Sequence, residues 1–429
     1  MNSIKNIDTL FGGIVMKKLT AIVIGAGDRG TNAYAPYALN NPNKLEIVGV
    51  AEPLEDRRNH FKEKFSLNDC QCYNSYEDIL KEEKLADIAI VATQDKMHLD
   101  PALKALELGY EVLLEKPMSP DADECIKMAD TAEKNHRVLS ICHVLRYTSF
   151  FQKIKEVLDK NRIGDIVSVN HNENVGYYHQ AHSFVRGNWR NTDVAAPMIL
   201  AKSCHDMDIL LYLINKKCLK VSSFGSLKHF KEENAPEGAP MRCLDGCPNE
   251  KKCPFYAPKF YLTDNTAWPT NTISTDLSFE RRVKALKEGP YGRCVYHCDN
   301  NVVDHQVVNL EFEDGVTATF SMCAFTHDIG RTLKIMGTKG EIRANMNTRE
   351  IEIHNFVDNS VEKITLKPTT SGHGGGDFGL IEDFLNVVSG NSKESLSSAK
   401  TSVQSHLMAL AAEKSRVEHR VVSIDEFYK

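Results

Sequence analysis

Leu19-Thr20-Ala21-Ile22-Val23-Ile24-Gly25-Ala26-Gly27-Asp28-Arg29-Gly30 is the stretch whose reading decides the fold. The apolar run Leu19–Ile24 reads as a buried strand. Three glycines follow at G-x-G-x-x-G spacing, and Asp28–Leu39 then reads as a helix. A second apolar run, Leu45–Ala51, ends on Glu52, 25 residues past Gly27. Strand, glycine turn, helix, strand and terminal acid, in that order, are the fingerprint of a dinucleotide site.

Each residue of the fingerprint has a physical task. Gly25 permits the tight turn, Gly27 leaves room for a pyrophosphate beside the backbone, and Gly30 lets helix and strand pack closely. The backbone of Ala26, Asp28 and Arg29 then lies at a helix start, where free N–H groups and the dipole attract phosphate. Glu52 can accept hydrogen bonds from both ribose hydroxyls and would repel a 2′-phosphate, which favours NAD. Arg57 and Arg58 stand close behind it and leave NADP as the alternative.

Outward from this motif, short apolar runs alternate with helical stretches. Further strands are expected at Ile88–Ala92, Glu111–Leu114 and Val138–Ile141, with helices such as Lys96–Leu108 and Pro120–Lys134 between them. This alternation predicts a doubly wound parallel sheet, a Rossmann domain over 17–146. Ligands bind such sheets off the carboxyl ends of the strands. Gly25–Gly30, Glu52, Thr93–Lys96, Glu115–Pro117 and His143–Tyr147 are therefore the positions for chemistry. Residues 1–16 read as a disordered lead-in, with Met16 as an alternative start.

A helix is expected at 149–160, and after it the pattern changes. Ile166–Glu173, Val221–Leu227, Val303–Phe312, Val316–Cys323, Arg331–Met336, Glu341–Ala344, Glu350–His354 and Lys363–Leu366 read as strands with hairpin turns. Helices at 204–214, 377–389 and 398–415 should cover one face. The expectation is an α+β domain over 147–429 built on a large, mainly antiparallel sheet. A Pro-, Cys- and charge-rich insertion at 231–300 interrupts it. An open sheet of this size presents an uncovered face and implies oligomerisation.

Composition limits the classes of function. The 429 residues are 42% hydrophobic and 26% charged, ordinary for a globular chain. The net charge of −6 gives no basic footprint for nucleic acid. No apolar run approaches the ~18 residues of a membrane span. Twelve cysteines without a signal peptide point to a reducing, cytoplasmic setting.

Glu115-Lys116-Pro117 after a late strand of the first domain, together with His205-x-x-Asp208, resembles the glucose–fructose oxidoreductase/inositol dehydrogenase (Gfo/Idh/MocA) family. Ala92–His98, Gly337–Gly340 and Gly372–Asp377 extend the resemblance over residues 17 to about 415. It implies hydride transfer between NAD(P) and a hydroxyl carbon of a sugar, sugar derivative or cyclitol. It also implies that Thr93, Gln94, His98, Glu115, Lys116 and Pro117 border the cofactor, with a cis peptide before Pro117, and that the protein is a homodimer or homotetramer.

The chemistry is intelligible without the resemblance. Oxidising an alcohol requires removal of a hydride and of the hydroxyl proton. A partly desolvated Lys116 can hold the hydroxyl and stabilise a developing alkoxide. His205 suits proton acceptance near neutral pH, with Asp208 three residues on to orient it. The family often carries Asp four residues before this histidine. Here Ala201 stands there, followed by Lys202, so the usual trio is incomplete and Lys202 enters as a second cation.

The loop Gly176-Tyr177-Tyr178-His179-Gln180-Ala181-His182, running on to Arg186-Gly187-Asn188-Trp189-Arg190, combines aromatic faces with polar donors. It reads as a carbohydrate pocket lining formed by Tyr178, His179, Arg186, Trp189 and Arg190. Arg146 and Tyr147, past the last strand of the first sheet, are expected to join it, with Asp208. His373 and Asp377 read more simply as a loop and helix cap. In the insertion, Cys243, Cys247, Cys253 and Cys294 read as a structural site with four thiolate ligands, most simply zinc, with His297 and Cys298 in reserve.

Three functions compete. The leading one is an NAD(P)-dependent sugar or cyclitol dehydrogenase. The second is a redox-neutral glycosidase or lyase acting through a transient 3-keto sugar. The third is a non-catalytic dinucleotide-binding regulator, which would have no use for Lys116 and His205.

Overall fold

The computed structural model describes residues 18–81, 83–368 and 372–428, the side chains of Gly372 and His373 excepted. The lead-in at 1–16 and the His373 side chain lie outside the described residues.

The first sheet has six parallel strands: β1 (Leu19–Ile24), β2 (Leu45–Ala51), β3 (Cys72–Tyr73), β4 (Ile88–Val91), β5 (Glu111–Leu114) and β6 (Leu139–Ile141). Their order is β3-β2-β1-β4-β5-β6, reversing at β1 and β4. Strand β4 is buried at all four positions, as expected for a sheet covered on both faces. The reversal opens a crevice at the carboxyl ends of β1 and β4, the usual ligand position for this topology.

The second sheet has nine strands: β7 (Ile166–Asn174), β8 (Cys218–Ser226), β9 (His305–Phe312), β10 (Thr317–Cys323), β11 (Gly330–Gly337), β12 (Gly340–Asn345), β13 (Glu350–Asn355), β14 (Val361–Thr365) and β15 (Val422–Ser423). Their order is β14-β13-β12-β11-β7-β10-β9-β8-β15. Among the described pairs only β7 and β10 run parallel. Strand β9 alternates buried and exposed residues, the signature of a sheet with one covered face. The helices Cys204–Ile214 and Ala399–Glu418 cover it.

The chain closes back on its beginning. Leu380, Ile381, Phe384 and Leu385, on the helix Gly376–Val388, share a core cluster with Val23 and Val50 of the first sheet. Ile141 N–H donates to Ser397 O at 2.9 Å. Residues 376–399 thus pack against the first sheet, although they come late in the chain.

One element departs from expectation at the fingerprint itself. The stretch after Gly27 is not a straight α-helix. Arg29–Tyr34 forms a wider π-type turn, and a short α-helix, Pro36–Asn40, follows. Pro36 has no N–H to donate and starts the second piece.

Candidate active site

The glycine loop is shaped by close approach at two of its glycines and by openness at the third. Gly25 has φ of +96°, and a Cβ there would lie 2.6 Å from Ala92 O. A Cβ at Gly30 would lie 2.2 Å from Gly25 O. At Gly27 a Cβ would meet nothing within 4 Å. That open side fits a pyrophosphate approaching the backbone. Glu52 is buried beside the loop. Its two oxygens accept from Ala26 N–H at 2.9 Å and Leu54 N–H at 3.0 Å. Arg58 donates to the Glu52 carbonyl at 2.5 Å, while Arg57 is exposed.

Four expected cofactor residues, Arg29, Glu115, His98 and Thr93, are engaged within the protein. Arg29 Nε lies 3.2 Å from Glu115 and Arg29 Nη2 lies 2.8 Å from Asp377, and Tyr34 donates to the same Glu115 carboxylate. Together they join the loop, β5 and the late helix Gly376–Val388. His98 Nδ1 and Nε2 bond the carbonyls of Pro117 and Thr93 at 2.7 and 3.2 Å. It therefore fixes the two segments that border the crevice. Thr93 Oγ1 donates to Met97 O at 3.1 Å, and Gln94 is exposed.

Lys116 crosses from the first lobe to the second. The Lys116–Pro117 peptide is cis, as the resemblance implied. Lys116 Nζ donates to Ala201 O at 2.9 Å. Lys202 is the next residue, and His205 lies three residues further on, in the first turn of the helix Cys204–Ile214. The bond therefore sets Lys116 beside the segment that carries Lys202 and His205, at the seam between the two sheets.

Lys202 is held by a buried charge network that the sequence did not reveal. Its Nζ lies 3.2 Å from Glu173 at the end of β7, and Glu173 lies 2.7 Å from Arg331 on β11. Arg331 bonds both oxygens of Asp206 at 2.7 and 3.2 Å, and His171 Nε2 joins Asp206 at 2.7 Å. Burial pushes the Asp206 carboxyl up, but Arg331 and His171 outweigh it and bring it down to about 2. A buried layer of paired charged groups, Glu173, Arg331 and Asp206, thus lies beneath Lys202.

Asp95 is a second residue that sequence reading bracketed within Thr93–Lys96 without singling it out. Burial pushes its carboxyl up, opposed by His98 and Lys116. Trp189 Nε1 donates to its Oδ1 at 3.3 Å, while among the described residues Oδ2 has no hydrogen-bond partner. Trp189 therefore does reach the crevice, and a carboxyl group stands near Lys116.

Several residues expected around the substrate serve other partners. Asp208 bonds Arg146 through both oxygens at 2.7 Å, so this pair is saturated within the interior. Asp208 is also 3.7 Å from His143, whose ring lies edge-on to His205 at 5.9 Å. Burial, then Arg146 and Lys116, hold His143 neutral. Tyr147 donates to Asp383 at 2.8 Å and contacts Ser395 and Ser397. It ties the first lobe to the late helix. Arg190 forks onto Asp299 at 2.7 and 3.0 Å.

Arg186 is fully buried, donating to the carbonyls of Arg293 and Phe255 at 2.7 Å each. Its guanidinium enters a small cavity lined by Cys243, Cys247, Cys253 and Cys294. Here the expectation of a four-thiolate zinc site is corrected. Among the described residues no group of three or more His, Cys, Asp or Glu side chains is placed to hold a metal ion. The physical reason is that this cavity already contains a cation. Arg186 Nη2 lies 3.7 Å from Cys243 Sγ, which also accepts from Ala257 N–H at 3.5 Å. Burial pushes the Cys253 thiol up and that of Cys294 to about 11, which favours neutral thiols.

His179 and Tyr178 remain at the site. Burial and then Lys202 lower the His179 imidazole well below its usual range. His179 stands edge-on to Trp268 of the insertion, ring centres 4.9 Å apart.

With the geometry established, comparison with known proteins gives the class. A family model described as "Oxidoreductase family, NAD-binding Rossmann fold" matches residues 19–143, and its partner, "Oxidoreductase family, C-terminal alpha/beta domain", matches residues 155–424. The chain belongs to the Gfo/Idh/MocA family of NAD(P)-dependent oxidoreductases. YteT of Bacillus subtilis, described as an oxidoreductase, is 24% identical over 333 residues, 73% of this chain and 74% of its own length. Inositol 2-dehydrogenase of Salmonella typhimurium is 24% identical over 207 residues, 47% of this chain and 57% of its own length. Levoglucosan dehydrogenase, solved with NADH and levoglucosan, superposes with a TM-score of 0.70 at 16% identity, covering 95% of this chain and 99% of that one. WlbA of Chromobacterium violaceum, solved with NADH and UDP-GlcNAcA, gives 0.65 at 16% identity, covering 99% of each. These two likenesses describe the fold.

Proposed function

We propose that this protein is an NAD-linked dehydrogenase acting on a hydroxyl carbon of a sugar, sugar derivative or cyclitol. The observation that carries the reading is the Lys116–Ala201 hydrogen bond across the seam, which sets Lys116, at the carboxyl edge of the first sheet, beside the segment that carries Lys202 and His205. The relatives named as inositol and levoglucosan dehydrogenases support the substrate class.

Gly25–Gly30, Glu52, Thr93, Gln94 and the Glu115–Pro117 segment would hold the dinucleotide. When bound, it supplies the hydride acceptor for alcohol oxidation. Lys116 orients the reacting hydroxyl and stabilises negative charge developing on its oxygen. His205 accepts the proton. Lys202, where the family often has a carboxylate partner nearby, holds a neighbouring hydroxyl and is itself positioned by Glu173.

The test is reduction of NAD, followed by absorbance, across a panel of sugars and cyclitols. Lys116→Ala should lower kcat at least ~100-fold while leaving the Kd for NAD within about twofold. Protein that binds NAD yet reduces none of it with any polyol would overturn the reading.

A second reading has its own observation. Lys202, paired with a buried glutamate, supplies a second cation suited to stabilising an enolate, and the neutral imidazole of His179 is the group with an electron pair for the C2 proton. That supports a redox-neutral glycosidase or lyase working through a transient 3-keto sugar. Cleavage of an aryl glycoside without net NADH, with solvent deuterium incorporated at C2, distinguishes it.

A further inference from the structure

The insertion at 231–300 does not project into solvent. It folds back over the 176–190 loop. Ala181 and Val185 of the loop share a core cluster with Phe255, Cys294, Val295 and Tyr296. His182 Nδ1 bonds the Tyr261 hydroxyl at 2.7 Å, and its ring stacks on Tyr291 with centres 4.7 Å apart. Arg186 and Arg190 are fastened to Arg293, Phe255 and Asp299. Polar residues that a bare loop would offer to a ligand are thus spent on holding the insertion.

What the insertion presents in exchange is aromatic. Trp268 is 38% exposed. It lies 4.9 Å from His179 and 6.2 Å from Tyr178, centre to centre. Tyr178 stacks on Phe260 at 6.3 Å, the two rings inclined by 24°. His179 also lies 5.8 Å from Phe184, whose ring is 6.2 Å from Trp189, and Trp189 donates to Asp95 in the crevice, so ring contacts connect this aromatic wall to the seam. Aromatic surfaces bind the C–H faces of sugar rings and stack on aryl groups. With both arginines of the loop engaged, a phosphate or carboxylate here finds neither of them free, so the wall suits a neutral ring.

We infer that Trp268, with Tyr178 and Phe260, forms a second subsite next to the reacting pocket that takes the neutral second ring of a glycoside, either a further sugar or an aryl aglycone. This rests on the reading of the seam as a site for a polyhydroxylated substrate. It makes the insertion a specificity element and the preferred substrate a glycoside rather than a free monosaccharide.

The experiment is calorimetric titration of the NAD-loaded full chain with matched methyl and p-nitrophenyl glucosides and galactosides. Wild type should bind at least one p-nitrophenyl glycoside about tenfold tighter than its methyl counterpart, the scale of one aromatic contact. Trp268→Ala should abolish that advantage while leaving the Kd of the methyl glycoside and of NAD unchanged. Trp268→Phe should restore most of it, which a folding defect would not allow. Methyl glycosides bound without an aryl advantage, or an advantage that survives Trp268→Ala, overturns the subsite alone. Failure to bind any glycoside overturns the subsite and the reading of the seam together.

Discussion

Glu52 combines two tasks that usually conflict. Its carboxylate closes the glycine loop through Ala26 N–H and Leu54 N–H, yet stays at the crevice where a ribose would lie. Glu52→Ser should weaken NAD about tenfold and shift the NADP:NAD affinity ratio upward by more than that, because repulsion of a 2′-phosphate disappears while Arg57 and Arg58 remain. Binding titrations with both dinucleotides check this. An unchanged ratio would mean that the two arginines do not reach the site. His406 is the corresponding case for stability. Its Nε2 accepts from Met118 N–H at 2.8 Å and its Nδ1 donates to Ser402 O at 2.7 Å, fixing a neutral ring. Burial, then His143, lower it to about 3. Between about pH 3 and the ordinary value near 6.5 the unfolded chain binds a proton that the folded chain refuses. Stability contributed by neutral His406 is thus full above about pH 6.5 and is lost progressively as pH falls towards 3. Thermal melts of wild type should show Tm falling through this window, and His406→Asn should lower Tm at pH 7.5 while flattening the slope.

At the scale of the element, the glycine turn separates folding from binding. Gly30→Ala puts a Cβ against the Gly25 backbone carbonyl and should cost about 1–3 kcal/mol as well as NAD affinity. Gly27→Ala puts a methyl into open space and should leave Tm within about 2 °C while weakening NAD at least tenfold. Paired melts and titrations would show whether the two losses separate. Elements with strong periodicity were legible in the chain: β2 and β5 span the runs Leu45–Ala51 and Glu111–Leu114, and the helix Cys204–Ile214 falls at 204–214. The two-residue strands β3 and β15 were not, because two residues carry no period and their pairing comes from a neighbouring strand. The π-type turn at Arg29–Tyr34 was not legible either. Its Arg29 bonds Glu115 and Asp377, 86 and 348 residues away, which no local pattern records.

At the scale of the molecule, the second sheet leaves its outer face to solvent. Phe224 on β8 is 64% exposed and sits beside Val307 on β9, 41% exposed, in the sheet register. An exposed apolar pair towards the β15 edge of a broad open face is what a second copy of the chain would cover. Sedimentation analysis should find a dimer or tetramer, and Phe224→Glu should shift it towards monomer with little change in Tm. A monomeric wild type at micromolar concentration would contradict this.

Sequence alone determined the glycine fingerprint, the alternation of strand and helix, the large second sheet, and Lys116 and His205 as the groups to watch. Those signals are local: they depend on spacing within a turn, a strand or one helix. The tertiary structure alone decided which charges are spent and which remain. Arg146 satisfies Asp208, Arg186 enters the cysteine-lined cavity, and Glu173 with Arg331 lies beneath Lys202. A buried charge must find its partner wherever packing brings one, and here the partners lie from 29 to 158 residues away along the chain.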